Sequence, residues 1–149
     1  SNGSRIVGSF GHSTAIFKRP VIEGRFFLEI LVREDAKKNK KVLNNSSVRV
    51  GICTSNFNPS FPLGYGESIC YKSFDGSMIS QGDKNQHWDS YEVGDKIGIC
   101  LNMSAPSKYP AEDKESEDSE VSFYKNGVLM GTCKVLKQIF YCFGVSLYY

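Results

Sequence analysis

The sequence has little of what metal sites and membrane segments require. It has only two histidines, His12 and His87, and no Cys-x-x-Cys pair, so no zinc site of ordinary ligand spacing is visible. No apolar run approaches the roughly 20 residues that span a bilayer, and no signal peptide opens the chain. The formal net charge of +2 is too small to indicate nucleic-acid or membrane binding by itself. We expect a soluble protein of the cytosol or nucleus that uses no metal or cofactor.

Catalytic motifs are equally scarce. The run GHST around His12 lacks the glycines that a strained serine turn needs on both sides, and GSFGHS lacks the lysine of a phosphate-binding loop. Paired carboxylates such as Glu34 and Asp35 stand in a charged loop, where a general acid would not be desolvated. We therefore predict that the chain is not an enzyme. The alternative left open is a cysteine-dependent enzyme in which one thiol lies near a histidine.

The cysteines are odd in number, and we interpret them as reduced, buried thiols of an intracellular protein. They are Cys53, Cys70, Cys100, Cys133 and Cys142. A chain of 149 residues can bury a core without disulfides, and we assign residues 1–149 to a single domain. Its eight tyrosines and ten phenylalanines favour strands, because a pleated surface accommodates large flat side chains.

Short apolar segments separated by turn residues run along the chain. Asn126-Gly127 lies between two of them and predicts a hairpin, because both residues can take the positive φ of a type I′ turn. No amphipathic helix is visible, although 133–140 could form a turn or so of one. The predicted strands are 24–32, which we expect to be buried on both faces or nearly so, 47–55, 95–103, 120–132 as the hairpin, and 141–149. This spacing predicts an all-β fold, an antiparallel β-sandwich.

The alternation in 47–55 singles out one arginine. Val48, Val50 and Ile52 share one face of the predicted strand, so Arg49 points away from its apolar side. An arginine in that position can hold a carboxylate or phosphate through two hydrogen bonds. The alternative is a surface arginine bound to a carboxylate of a neighbouring loop.

Two charged segments interrupt the succession of strands. Residues 33–45 form a charged loop whose four lysines, Lys37, Lys38, Lys40 and Lys41, could touch a polyanion. Residues 102–120 are rich in Pro, Ser and Glu and have too little apolar surface to offset their ordering entropy. We expect an acidic, flexible insertion there, between two paired strands.

The order of the motifs resembles the SPRY domain, a sandwich of the B30.2-like, concanavalin-like jelly-roll type. The segments that carry the resemblance are GRFFLEILV, VRVGICTS, PLGYGESICY, DGSMISQG, GDKIGICLNM, VSFYKNGVLMG and FGVSLYY, in consecutive order. They cover nearly all of the chain apart from the two charged loops. The most specific pieces are Gly94-Asp95, expected to make the tight turn that starts a central strand, and 123–127, which contains the Asn126-Gly127 turn.

Within that superfamily, GSRIVGSFGHS, PLGYGESICYKSFDG and the acidic insertion resemble the Ash-two-like subunit of SET/MLL (COMPASS) histone methyltransferase complexes. This resemblance implies a nuclear scaffold that binds an acidic segment of a WD-repeat, retinoblastoma-binding-type partner. The scaffold would thereby help a separate SET-domain enzyme to methylate a lysine of the histone three tail, with 37–41 as a possible weak nucleosome contact. The alternative is a generic SPRY scaffold of the Ran-binding or ubiquitin-ligase-adaptor type that recognises a short peptide motif.

The same resemblance implies a peptide groove. Its cations would be Arg49 and Lys72, and its apolar wall Pro62 and Tyr65 of the PLGY run; Ser4 stands where the family has a tyrosine. The sequence departs from the family at other positions too: Ile52 replaces a tryptophan, Gly66 an aspartate, Phe74 and Asp75 lysines, and Lys72 an arginine. We therefore expect a less basic groove that holds an acidic partner more weakly or through fewer acidic residues.

Overall fold

In the computed structural model, the described residues are 6, 11–33, 47–104, 119–136 and 139–148. They contain ten strands: β1 (His12–Ile16), β2 (Gly24–Leu31), β3 (Ser47–Thr54), β4 (Ser68–Lys72), β5 (Ser77–Ser80), β6 (Asp83–His87), β7 (Lys96–Met103), β8 (Glu120–Lys125), β9 (Val128–Lys134) and β10 (Tyr141–Tyr148). Within these ranges there is no helix, and so none that is long and apolar enough to cross a membrane.

The strands form two antiparallel sheets that enclose one main apolar core. The six-stranded sheet has the order β1-β10-β3-β4-β5-β6, and the four-stranded sheet has the order β2-β7-β8-β9. Inward residues of both sheets, such as Ile52 of β3 and Ile99 of β7, are completely buried in the core. The predicted all-β sandwich is confirmed, and Ile52 fills its core position without exposure.

The prediction that 24–32 is buried on both faces is wrong. β2 is an edge strand of the four-stranded sheet, and six of its eight residues are exposed. Leu28 and Ile30 pack towards the core, whereas Phe27 lies on the outer face against Gly98 and Tyr124. Strand formers on both faces are typical of a buried strand, and the sequence does not show that β2 has only one neighbour among the described strands.

The two specific turns lie side by side. Asn126 and Gly127 have φ of 49° and 82°, as a type I′ turn requires, and Gly94 has φ of 100°. The Asn126 amide donates to Asp95 Oδ1 at 2.8 Å, and its Oδ1 accepts the Lys96 N–H at 2.9 Å. Side chain and backbone thus tie the hairpin to the start of β7, an inner strand of its sheet.

The charged segments lie mostly outside the described residues. Residues 34–46 and 105–118 are not described, which includes the four lysines of 37–41. The predicted insertion 102–120 is too wide at both ends, because Asn102, Met103 and Glu120 belong to strands. Those strands, β7 and β8, are antiparallel neighbours, in agreement with an insertion between paired strands. The possible helical turn in 133–140 is partly wrong, since Cys133 and Lys134 end β9.

Candidate functional site

A cleft of about 860 Å³ opens on the outer face of the six-stranded sheet. Its floor consists of two rows of side chains that run across neighbouring strands. Residues directly opposite each other in an antiparallel pair project from the same face, so each row is contiguous although its members are distant in sequence. The first row is Thr14, Ser146, Arg49 and Lys72, and the second is His12, Tyr148 and Ser47; all of them except Thr14 line the cleft.

The wall of the cleft is the turn Pro62–Tyr65, here called the elbow. The Tyr65 N–H donates to the Pro62 carbonyl at 3.4 Å, and Gly64 has φ of 98°. A Cβ at Gly64 would lie 2.9 Å from Cys70 Sγ and from Ile79. Glycine is therefore needed both for its backbone conformation and for the close packing beneath it.

Leu63 anchors the elbow from below. Its side chain is completely buried in a second apolar cluster with Cys53, Cys70, Ile79 and Cys142. Its N–H donates to Ser146 Oγ at 2.9 Å, and its carbonyl accepts hydrogen bonds from Arg49 and Cys70. The elbow is thus fixed to three strands, and the wall needs little ordering when a ligand binds.

A chain of hydroxyl groups holds the other end of the wall. Ser146 Oγ lies 2.8 Å from Thr14 Oγ1, which donates to the Phe61 carbonyl at 2.9 Å. Both hydroxyls come from the first floor row. The sheet therefore positions Phe61 and Leu63 through the same pair of side chains.

Arg49 is the central cation of the cleft. Its Nη1 donates to the Leu63 carbonyl at 2.8 Å, and its guanidinium carbon lies 5.4 Å from the centroid of the Tyr65 ring. It forms no ion pair with any carboxylate of the described residues. The charged loops 34–46 and 105–118 lie outside those residues, so the alternative of a carboxylate from a neighbouring loop is not tested. A guanidinium has five N–H donors, so several stay available to a ligand.

The positive charge of Lys72, the second cation of the cleft, is partly offset by a neighbouring carboxylate. Its Nζ lies 3.8 Å from Asp75 Oδ2 and 5.6 Å from the centroid of Phe74. Asp75 is also held by Lys84 at 2.8 Å. Burial opposes ionisation of Asp75, but the hydrogen bonds from Lys84 and Ser77 and the charge of Lys72 hold its pKa well below the ordinary value. Asp75 thus stays charged and neutralises part of the basic character of the cleft.

Four aromatic side chains line the cleft together with the two cations. They are Phe61, Tyr65, Phe74 and Tyr148, and all of them are exposed. Exposed aromatic side chains beside an arginine are the composition that binding hot spots favour. The cleft can therefore hold a carboxylate at its centre and apolar side chains at its margins.

Several lining residues were not identified from the sequence. They are His12, Ser47, Ser60, Phe61, Phe74, Ser146 and Tyr148. Alternation in 141–149 could have found two of them, because Val145 and Leu147 face the core and leave Ser146 and Tyr148 on the opposite face. No alternation of this kind pointed to His12.

The pKa of His12 is lowered, first by burial and then by the charge of Arg49.

Four of the five residues that the resemblance implies line this cleft: Arg49, Pro62, Tyr65 and Lys72. Ser4, the fifth, lies outside the described residues.

None of the five cysteines is among the residues that line the cleft. All five are free, and four are buried; Cys133 is half-buried. Burial raises the pKa of the Cys53 and Cys70 thiols to about 12, and it also raises the pKa of Cys133 and Cys142. A thiol must lose its proton to act as a nucleophile, so these four are poor candidates for covalent catalysis.

Comparisons with known proteins identify the fold. Residues 40–134 match the family model of the SPRY domain, whereas no curated protein sequence matches the chain. The crystal structure of a human SPRY domain is similar with a TM-score of 0.62 and 18% identity, over 95% of this chain and 87% of that chain. The SPRY domain of human HERC1 is similar with a TM-score of 0.65 and 17% identity, over 95% and 77% of the two chains. None of these matches supports the narrower resemblance to the Ash-two-like subunit.

Proposed function

Because the chain belongs to the SPRY domain family, whose members are in general protein-interaction modules, we propose that its cleft binds a short acidic peptide segment flanked by apolar residues. The observation that carries this proposal is the position of Arg49 in the cleft and the lack of a described carboxylate paired with it. Its side chain is held by the elbow and lies beside the exposed Tyr65 ring, and no carboxylate of the described residues pairs with it.

The charge arrangement favours an acidic ligand. A carboxylate placed over Arg49 would gain charge-assisted hydrogen bonds, each of which contributes on the order of 1.5–3 kcal/mol when partly buried. Lys72 would add a second, weaker attraction, because Asp75 already shares its charge. We expect one acidic residue of the ligand to dominate the affinity.

The rings favour apolar neighbours on that ligand. Tyr65 lies beside Arg49, Phe74 lies beside Lys72, and Phe61 lines the same cleft. Large exposed rings next to each other commonly mark a contact surface, because covering them removes apolar area from water. A segment with an acidic residue followed by apolar residues would use both parts of the cleft.

The finer proposal is that the ligand is the acidic segment of a WD-repeat, retinoblastoma-binding-type subunit. The chain would then act as a nuclear scaffold that raises the activity of a SET-domain histone methyltransferase, and the lysines of 37–41 would contact the nucleosome weakly. It is supported by the sequence resemblance and by the meeting of Arg49, Pro62, Tyr65 and Lys72 in one cleft.

A second candidate is a generic SPRY scaffold of the Ran-binding or ubiquitin-ligase-adaptor type. The pairing of Lys72 with Asp75 favours it, since a partly neutralised cleft suits a motif with little acidic character. Such a motif would depend on the elbow and its rings more than on the charge of Arg49.

The test is a titration with a fluorescent peptide in which two acidic residues precede three apolar ones. We expect a Kd in the micromolar range that rises with salt, and loss of binding in Arg49→Glu. Arg25→Glu makes the same charge change on the other sheet and should bind like the original chain. Equal binding by Arg49→Glu would refute the acidic-ligand proposal. Retained binding of a neutral version of the peptide would favour the second candidate.

A further inference from the structure

β2 presents a long apolar edge that no described strand covers. Among the described strands it pairs with β7 alone, and it is eight residues long without proline. Phe26 and Phe27 are 48% and 59% exposed. Proteins usually protect such an edge with prolines, bulges or a run of charges, because its free backbone groups can pair with another strand.

The free hydrogen-bonding groups of β2 belong to alternate residues. Val32, which directly follows β2, donates to the Asp95 carbonyl and accepts from the Gly94 N–H at the start of β7. Backbone groups alternate in direction along an antiparallel strand. The N–H and C=O groups of Arg25, Phe27, Glu29 and Leu31 therefore point away from β7, to the edge that no described strand covers.

The charged residues of β2 are complementary to those of a second, antiparallel β2 strand. In an antiparallel pair of two β2 strands with the two-fold axis at Phe27, Arg25 of each copy lies opposite Glu29 of the other. Arg25, Phe27 and Glu29, whose backbone groups point away from β7, then fall in hydrogen-bonded positions. Both charge pairs join opposite charges, as favourable cross-strand pairs do.

The side chains of this register match on both faces. The two Phe27 rings meet on the outer face of the sheet, next to the Tyr124 ring that each already contacts. On the core side, the half-exposed Phe26 lies opposite Leu28 of the second copy. A register centred one residue away would lose the Arg25–Glu29 pairing.

We propose that the partner of this edge is β2 of a second copy of this chain. The two copies form a symmetric dimer in which two four-stranded sheets become one continuous sheet of eight strands. The cleft at Arg49 lies on the other sheet and stays open in both copies. The dimer is therefore bivalent towards any ligand that carries two binding segments.

The experiment measures mass by sedimentation equilibrium for the original chain and for two charge variants, Arg25→Glu and Glu29→Arg. We expect the original chain to dimerise within a range on the order of 1 µM to 1 mM, because an edge contact is small. Each variant alone places like charges opposite each other twice per dimer and should weaken dimerisation about tenfold or more. Mixed in equal amounts, the two variants should form a heterodimer, since each Glu then faces an Arg.

The matched control is Asp83→Lys, a charge reversal on β6, an edge strand of the other sheet. It should dimerise like the original chain. The double variant Arg25→Glu/Glu29→Arg restores both pairs in one chain, so its dimerisation separates pairing from a failure to fold. The proposal is overturned if the original chain stays monomeric, if either single variant dimerises like it, or if the mixture forms no heterodimer.

Discussion

The Arg49 guanidinium lies against the Tyr65 ring, with its central carbon 5.4 Å from the ring centroid. The elbow carries the ring and β3 carries the cation, and the hydrogen bond from Arg49 to the Leu63 carbonyl joins them. The cation and the aromatic wall of the cleft are therefore one unit. A ligand that binds Arg49 meets a side chain that is already oriented.

Tyr65 should matter for its ring more than for its hydroxyl. We expect Tyr65→Ala to weaken binding of the acidic-apolar peptide about tenfold or more, because the wall and the stacking on Arg49 are lost. Tyr65→Phe keeps the ring and should bind within about twofold of the original chain. Fluorescence titration of both variants checks this, and equal loss in the two would mean that the hydroxyl is the important group.

Gly64 and Gly94 allow backbone conformation to be separated from packing. Their φ values are 98° and 100°, but a Cβ would clash with Cys70 and Ile79 only at Gly64. We expect Gly94→Ala to lower the free energy of unfolding by about 1–2 kcal/mol, the cost of a left-handed conformation. Gly64→Ala should lower it by about 1–3 kcal/mol more, since its core neighbours must move. Urea denaturation measures both; equal losses would contradict the clash.

Asp75 should limit the affinity of the cleft for acidic ligands. Asp75→Asn removes the carboxylate that shares the charge of Lys72, so we expect the acidic peptide to bind about two- to fivefold more tightly. Asp83→Asn removes an equal charge on the exposed β6 strand and serves as the control. A gain of the same size in both variants would indicate a general effect of net charge.

Asp75 should also make stability depend on pH. Its pKa is lower in the folded protein, so its ion pairs stabilise the fold above the ordinary aspartate pKa, and this contribution is lost as pH falls towards the folded value. We expect the free energy of unfolding to decrease more steeply below about pH 4 in the original chain than in Asp75→Asn. Urea denaturation between about pH 2.5 and 6 measures the difference. Parallel curves would show that the pairs with Lys84 and Lys72 contribute nothing.

Local patterns were sufficient for much of the fold. Alternation in β3 predicted that Val50 and Ile52 face the core and that Arg49 faces the other way, and Asn126-Gly127 predicted the hairpin. These features depend on residues adjacent in sequence, since the side-chain direction of a strand repeats every two residues. Sequence resemblance added Pro62 and Tyr65, which line the cleft.

The neighbours of each strand were decided by the tertiary structure. The row that joins Thr14, Ser146, Arg49 and Lys72 exists because β10 lies between β1 and β3, an order that no local pattern encodes. The same holds for the exposed edge of β2, whose residues alone suggested a buried strand. The sequence by itself determined which residues form strands and turns, because these depend on local backbone preference and alternation. The packing of distant strands decided which residues share a site or an edge, because it depends on the whole chain at once.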